Sequence, residues 1–388
     1  MKKTAIALFL VVQIEAQTYE QLLQQAIENS VNLQTIHNQQ EQISLEGEID
    51  RRYENPNLEL EIADFSPQFI RQKNQFGTRI GISQSLPLPH ILEDKKSITQ
   101  NKIEVAQESY KIQKSKFIYA FNLRYLAYKK AKHRLDLAYK ALKLSKDVLE
   151  TVNKRYQEGA VAKSDQLEAK LDYKKIENQL ESLSFKVSKA KNSLLYYAKS
   201  KSEEAIELEQ SFILLRNRTL NPIIRLNEAK NRVSQAKIEL FGHSVNSIEV
   251  FSELEQEPDQ NIFRVGVSIA LPTFNNREQE KQLEKIKIAN QTLRIFAQKR
   301  AVNLQVQQLT NENRKLKNLR ESSHNLISSQ QELFDIYKRS YRISKVNLLK
   351  LQQSKEQQVL LLKKILEIDF ALERNNIKIN YLQGAYSE

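Results

Sequence analysis

The chain has no cysteine. That excludes disulfides, thiolate metal sites, a cysteine nucleophile and a lipid-modified N-terminal cysteine. It has only seven glycines and seven prolines in 388 residues. Turns draw on both residue types, so few turns are available. Between Pro89 and Pro222 the only breaker is Gly159, and from Thr273 to Gln383 there is none. Both stretches therefore read as long helices broken once at most. No apolar run is long enough for a transmembrane helix. Phosphate-binding G-x-x-x-x-G-K-[ST], H-E-x-x-H, G-x-S-x-G and G-x-G-x-x-G patterns are all missing. His37, His90, His133, His243 and His324 lie far apart in sequence, and there is one methionine, so a metal site has no support. The expectation is a protein that is not an enzyme and carries no cofactor.

What is present is charge and repetition. Lys and Arg total 60 against 47 Asp and Glu, a net charge of +13. Such an excess alone would suit nucleic acid, but the basic residues do not cluster. They read as solvated helix faces, and no nucleic-acid partner is expected. Lys2 and Lys3 precede a short apolar stretch, Thr4 to Val12, and then Ile14-Glu15-Ala16. This order is that of a secretory signal over 1–16, the alternative being the first turn of a buried helix.

Arg79-Ile80-Gly81-Ile82-Ser83-Gln84-Ser85-Leu86-Pro87 aligns with Arg264-Val265-Gly266-Val267-Ser268-Ile269-Ala270-Leu271-Pro272. The offset is 264 − 79 = 185 residues, and at the same offset Tyr156 meets Tyr341 and Val161 meets Val346. The pattern predicts a duplicated unit: a first repeat over 17–199, an equatorial linker over 200–221 and a second repeat over 222–388. Each repeat reads as a helix (Thr18 to Arg52 in the first), two strands and a long helical hairpin. Strands are expected at 57–65, 76–86, 247–255 and 262–271, because apolar and polar residues alternate there. Leu58, Leu60 and Ile62 oppose Glu59 and Glu61; Phe263, Val265, Val267 and Ile269 oppose Arg264 and Ser268. Hairpins are expected over 90–199 and 275–382. Tyr128, Ala131, Leu135, Ala138, Leu142, Ser145, Leu149, Val152 and Tyr156 recur in steps of three and four, as in a coiled-coil seam. So do Ala169, Tyr173, Ile176, Leu180, Leu183, Val187, Ala190, Leu194 and Tyr197 on the return arm. Leu326, Ser329, Leu333, Ile336 and Ser340 form a shorter seam in the second repeat. The long arm, roughly 68 residues, would span about 100 Å.

The apolar strand faces need a partner, yet nearly all other apolar residues are committed to seams. A bilayer would supply one, and strands of this length suit it. A spanning sheet has no open edge, and closed barrels begin at eight strands. Four strands per chain therefore imply a barrel shared between chains. Its wet lumen would be lined by Glu59, Glu61, Arg79, Glu249, Glu253, Glu255 and Arg264. Tyr53, Phe65, Phe69, Phe76, Phe241 and Phe274 sit near strand ends, where interfacial aromatics belong.

Arg155-Tyr156-Gln157-Glu158-Gly159-Ala160-Val161-Ala162-Lys163-Ser164-Asp165 resembles the hairpin-tip pattern of the TolC family of bacterial outer-membrane efflux proteins. The Leu86-Pro87 and Leu271-Pro272 steps are similar to that family too. The resemblance covers essentially the whole mature chain. It implies a mainly α fold with a small β part. Duplicated long α-helical coiled-coil hairpins would join four transmembrane β-strands per chain, giving a trimeric twelve-stranded barrel and an α-helical periplasmic tunnel. It further implies the outer membrane and its lipid, a homotrimer, a periplasmic adaptor and, indirectly, an inner-membrane pump. Tips contacting the adaptor would be Gly159, Ala160, Val161, Ala162, Ser344, Lys345 and Val346. Asp165, Tyr341, Lys350 and Gln353 would be gate candidates, with Asp165 and Tyr341 a hydrogen-bonded latch. The alternative role for Asp165, with Ser164, is to cap the returning helix. The chain departs from the family in having Ser344 where glycine is usual. It also has Val346, Lys350 and Gln353 in place of a basic residue and two carboxylates, so an acidic entrance ring does not carry over. Efflux of small substrates and type I protein secretion both fit such a duct. A soluble periplasmic coiled-coil scaffold explains the helices but neither the duplicated strands nor the signal segment.

Overall fold

The computed structural model describes residues 17–64, 76–200, 205–215, 220–257 and 259–387. The signal segment, Phe65 and Phe69 lie outside the described residues. The elements run α1 (Tyr19–Glu28), α2 (Val31–Ile49), β1 (Asn57–Asp64), β2 (Phe76–Pro87), α3 (Pro89–Gln157), α4 (Lys163–Ala198), α5 (Pro222–Gly242), β3 (Ser247–Gln256), β4 (Asn261–Ile269), α6 (Glu278–Arg342) and α7 (Leu348–Leu382). α3 begins on Pro89, whose fixed φ and missing N–H suit a first helical turn. The helix expected over 18–52 is instead two. It breaks at Asn29–Ser30, residue types that bond the backbone locally and so favour helix ends. Thr18 opens α1 with a capping box closed by Gln21. β4 ends at Ile269, so Ala270 and Leu271 lie beyond the strand.

The chain packs as two compact units, each drawing on both repeats. One holds 35–111 and 222–300. Its sheet has the order β1-β2-β3-β4, antiparallel throughout. Within this unit α2 approaches α3 at Gly47. A Cβ on that glycine would fall inside the van der Waals envelope of the Thr99 side chain. Gly47→Ala should therefore cost about 1–3 kcal/mol, as overpacking does. A lower melting temperature, partly restored by adding Thr99→Ala, is the expected result.

The other unit takes in 112–221, 301–387 and the helix α1. Leu22, Ala26, Phe121, Tyr125, Leu194, Ala198, Phe370 and Ile377 belong to one buried cluster. Residues 205–215 of the linker contribute Ile206 and Phe212 to this core and are tied down by side chains. Tyr125 donates to the Glu207 carbonyl at 2.6 Å, Asn376 to Phe212 at 2.9 Å and Asn380 to Ile213 at 2.8 Å. Such ties satisfy backbone groups that no sheet or helix would.

The expected seams need two corrections. On α3, Ala138, Ser145 and Val152 are buried as expected, but Ala141, Val148 and Arg155 are buried in preference to Leu142, Leu149 and Tyr156. On α6, Leu326, Leu333 and Ile336 are exposed, while Ser323, Phe334 and Tyr341 are buried. The larger aromatic side chains take the inner face because they bury more area. The return-arm seam of α4 stands: Ala169 and Leu194 are buried and the positions between them half-buried.

Charges also lie inside. Lys355 on α7 is 2% exposed. Its ammonium bonds Asp172 of α4, whose same carboxylate oxygen accepts from Ser145 of α3. Lys129 bonds Glu373 at 3.0 Å and the Gln210 carbonyl at 2.8 Å. These pairs join α3 and α4 of the first hairpin to α7 of the second.

Candidate functional site

The sheet sorts its side chains by face. Leu60, Ile80, Leu254 and Phe263 lie in one cross-strand row; Leu58, Ile82 and Val265 lie in the next. All seven are exposed, Leu60 at 68% and Val265 at 64%. The opposite face carries Glu59, Glu61, Arg79, Glu249, Glu253, Glu255 and Arg264, as the alternation predicts. Arg79 approaches Glu61 at 3.2 Å, Glu255 at 3.5 Å and Glu253 at 3.9 Å. Arg264 reaches Glu255 at 2.5 Å and Glu253 at 3.4 Å. Phe251 also lies on this face, with its ring over Gly266 where any Cβ would sit. Of the aromatics expected near the strand ends, Tyr53 and Phe274 are exposed and Phe241 is half-buried.

The two hairpin turns are built alike. At the first, Gly159 takes φ 71°; its N–H donates to the Tyr156 carbonyl, and Ala160 N–H to Arg155 at 2.8 Å. At the second, Ser344 takes φ 60°, with Ser344 N–H to Tyr341 and Lys345 N–H to Ser340 at 3.0 Å. Both are Schellman ends. The same 185-residue offset relates Lys199 (φ 50°) to Gly384 (φ 77°), which end α4 and begin the turn after α7. In each pair one member is glycine and the other is not. A non-glycine residue there costs about 1 kcal/mol.

Gly159, Ala160, Ala162, Ser344 and Lys345 are exposed, while Val161 and Val346 are half-buried. Val161 packs on a cluster of Val148, Val152, Ala169, Phe334, Tyr341, Leu348 and Leu351. The turns flank a cleft of about 630 Å³ lined by Arg155, Asp165, Tyr341, Ser344 and Lys350, among others. Gln353 is exposed on α7. Tyr341 is 1% exposed, and its hydroxyl has no hydrogen-bond partner. Burial pushes its phenol up, with Arg155 pulling it back and Asp165 adding to the rise. Within one chain the Asp165–Tyr341 latch is therefore not made. Nor do Ser164 and Asp165 cap α4. The N-cap is Ala162, without a side-chain bond, and Asp165 lies in the first turn, where an acid suits the helix dipole. α7 is capped properly, by Asn347 on Lys350 N–H at 3.1 Å.

Arg155 escaped the sequence reading of the site. It is 6% exposed and donates to the Tyr341 carbonyl and the Ser344 hydroxyl, both at 2.6 Å. Its counterpart 185 residues on is Ser340, so the repeat gave no signal. His90 and His243, distant in sequence, have ring centroids 4.2 Å apart, and His243 reaches Asp94 at 2.9 Å. Among the described residues no three such groups are placed to hold a metal ion.

No family model and no curated protein sequence matches the chain. Solved structures do. CusC, whose structures capture conformational changes accompanying folding and transmembrane channel formation, shares 14% identity over 94% of this chain and 91% of its own, at a TM-score of 0.77. The MtrE outer-membrane channel of Neisseria gonorrhoeae, in its open state, shares 13% over 94% and 88%, at 0.74. The CmeC outer-membrane channel of Campylobacter jejuni shares 13% over 94% and 85%, at 0.71. Identities this low carry the architecture alone, and it is the architecture that the hairpin-tip resemblance implied. This chain has the fold of the TolC family of outer-membrane channels.

Proposed function

We propose that the protein is the outer-membrane exit duct of a tripartite efflux system. Three copies close their sheets into one twelve-stranded barrel, and the helical hairpins form a tunnel in the periplasm. Small substrates pass through it without chemistry. Energy comes from an inner-membrane pump, through a periplasmic adaptor that meets the hairpin tips. The observation that carries this reading is the sheet. One face carries a set of exposed apolar side chains and the other the charged ones, and among the described residues β1 and β4 have no further strand paired to their outer edges. Water does not favour such an apolar face, and lipid does not accept such edges. Closure with further copies in a bilayer meets both demands.

The test is fractionation followed by reconstitution. The protein should be found in outer membranes and should leave detergent as a particle of three chains. In planar bilayers it should give single-channel current steps. A monodisperse monomer in the soluble fraction would end the proposal.

A further inference from the structure

The apolar face of the sheet runs on toward the helices through Leu86 and Ile248, cross-strand partners on β2 and β3. There it ends in a groove of about 440 Å³, walled by Tyr53, Leu86, Leu88, Pro89 and Ile248 among others. Gln84, in the same wall, is already engaged. It donates to the Glu54 carbonyl at 2.5 Å and so holds the segment between α2 and β1 against β2. Tyr53, on that segment, is 60% exposed. Its sequence neighbours are charged and opposite in sign. Arg52 and Glu54 are both exposed, and neither forms an ion pair among the described residues. Arg51 and Lys95 bond carbonyls at the end of α2, Gly47 at 3.0 Å and Asp50 at 2.9 Å. An apolar groove thus opens beside a set of cations and the two acids Asp50 and Glu54.

We propose that this groove binds one zwitterionic glycerophospholipid per chain, of the phosphatidylethanolamine type. An acyl chain lies along Tyr53, Leu86 and Ile248. The phosphate pairs with Arg52 and the head-group ammonium with Glu54. This rests on the exit-duct reading, which puts the helix end of the sheet at the inner leaflet of the outer membrane, among phospholipid head groups. Two physical arguments select the occupant. A guanidinium–phosphate pair is charge-assisted and forked, and basic groups beside an apolar groove suit a phosphate head group. The carboxylates then discriminate. A lipid with a purely anionic head meets Asp50 and Glu54 as like charges, whereas an ammonium answers them. A tyrosine, apolar in body and polar at its tip, belongs at the same depth.

Native mass spectrometry of the detergent-extracted, delipidated protein reads bound lipid directly. Phosphatidylethanolamine and phosphatidylglycerol with the same acyl chains would be titrated separately into wild type, Arg52→Gln, Glu54→Gln and Tyr53→Ala. Leu60→Ala, on the same apolar face but outside the groove, is the control. Wild type should load one phosphatidylethanolamine per chain at a concentration about tenfold below that for phosphatidylglycerol, as for one charge-assisted pair. Glu54→Gln should erase that preference. Arg52→Gln and Tyr53→Ala should weaken both lipids by about tenfold, and Leu60→Ala should change neither. Should Tyr53→Ala fail to assemble, the two exposed charge changes decide. Equal loading of both lipids by a wild-type trimer would overturn the site and leave the exit duct standing. So would loading that neither Arg52→Gln nor Glu54→Gln alters, because the lipid would then only coat the barrel. A soluble wild-type monomer would remove the duct reading, and the lipid site with it.

Discussion

Val265→Arg should abolish recovery of the protein in outer membranes, whereas Ser268→Arg on the same strand should leave it intact. Val265 lies at the middle of β4, in the apolar row with Leu58 and Ile82. An arginine facing lipid at the bilayer midplane costs about 2–4 kcal/mol, so the proposed trimer would lose roughly 6–12. That is comparable to the whole stability of an ordinary folded domain. Ser268 faces the charged side, opposite Glu249, where an arginine finds both water and an acid. The contrast between the two variants is the informative quantity. Were the sheet's apolar face simply exposed to water, Val265→Arg would be a surface change of less than about 0.5 kcal/mol and would improve solubility. Immunoblots of separated membrane and soluble fractions read the difference directly, and equal membrane recovery of both variants would argue against lipid contact.

The second large effect is expected at Asp172. The Lys355 ammonium is enclosed and bonded to that carboxylate. Asp172→Ala leaves it charged, buried and unpaired, at a cost of about 3–5 kcal/mol. Lys355→Met should be milder. It replaces the ammonium with an apolar group of similar length, and Asp172 keeps Ser145 and a partly exposed side chain. The double variant Asp172→Leu with Lys355→Met should recover most of the loss, because apolar replacements of buried ion pairs are often neutral or better. Melting curves of the detergent-solubilised protein would show this order. Equal losses from the two single changes would mean that the pair adds nothing beyond side-chain volume.

The strands were legible because alternation is unambiguous: Leu58-Glu59-Leu60-Glu61-Ile62 has only one way to place its apolar side. The hairpin ends were legible because breakers are so scarce that Gly159 could only mark a turn. The helices were harder. α6 carries two apolar stripes of nearly the same period, one through Leu326, Leu333 and Ile336 and one through Phe334 and Tyr341. Periodicity finds both and cannot say which is turned inward; that depends on what α3 and α7 offer in return. Lys355, Asp172 and Arg155 were hidden for a different reason. Charged residues in a lysine-rich helix look like surface, and only packing reveals which few are enclosed. Ser344 looked like a lapse from glycine until its hydroxyl was seen to have a partner.

The free edges of β1 and β4 bear on how the protein comes into being. On the exit-duct proposal a single chain would offer lipid two rows of unsatisfied backbone groups, so it would have no stable membrane-embedded state of its own. Association and insertion are then one event. Its rate depends steeply on how many chains are present, and its equilibrium cannot be stated without their concentration. Before that event the apolar sheet face must wait in water beside unpaired strand edges, the combination that templates aggregation. On that proposal overproduction would raise two competing reactions together, closure among three partners and open-ended pairing among many. Only closure consumes every edge.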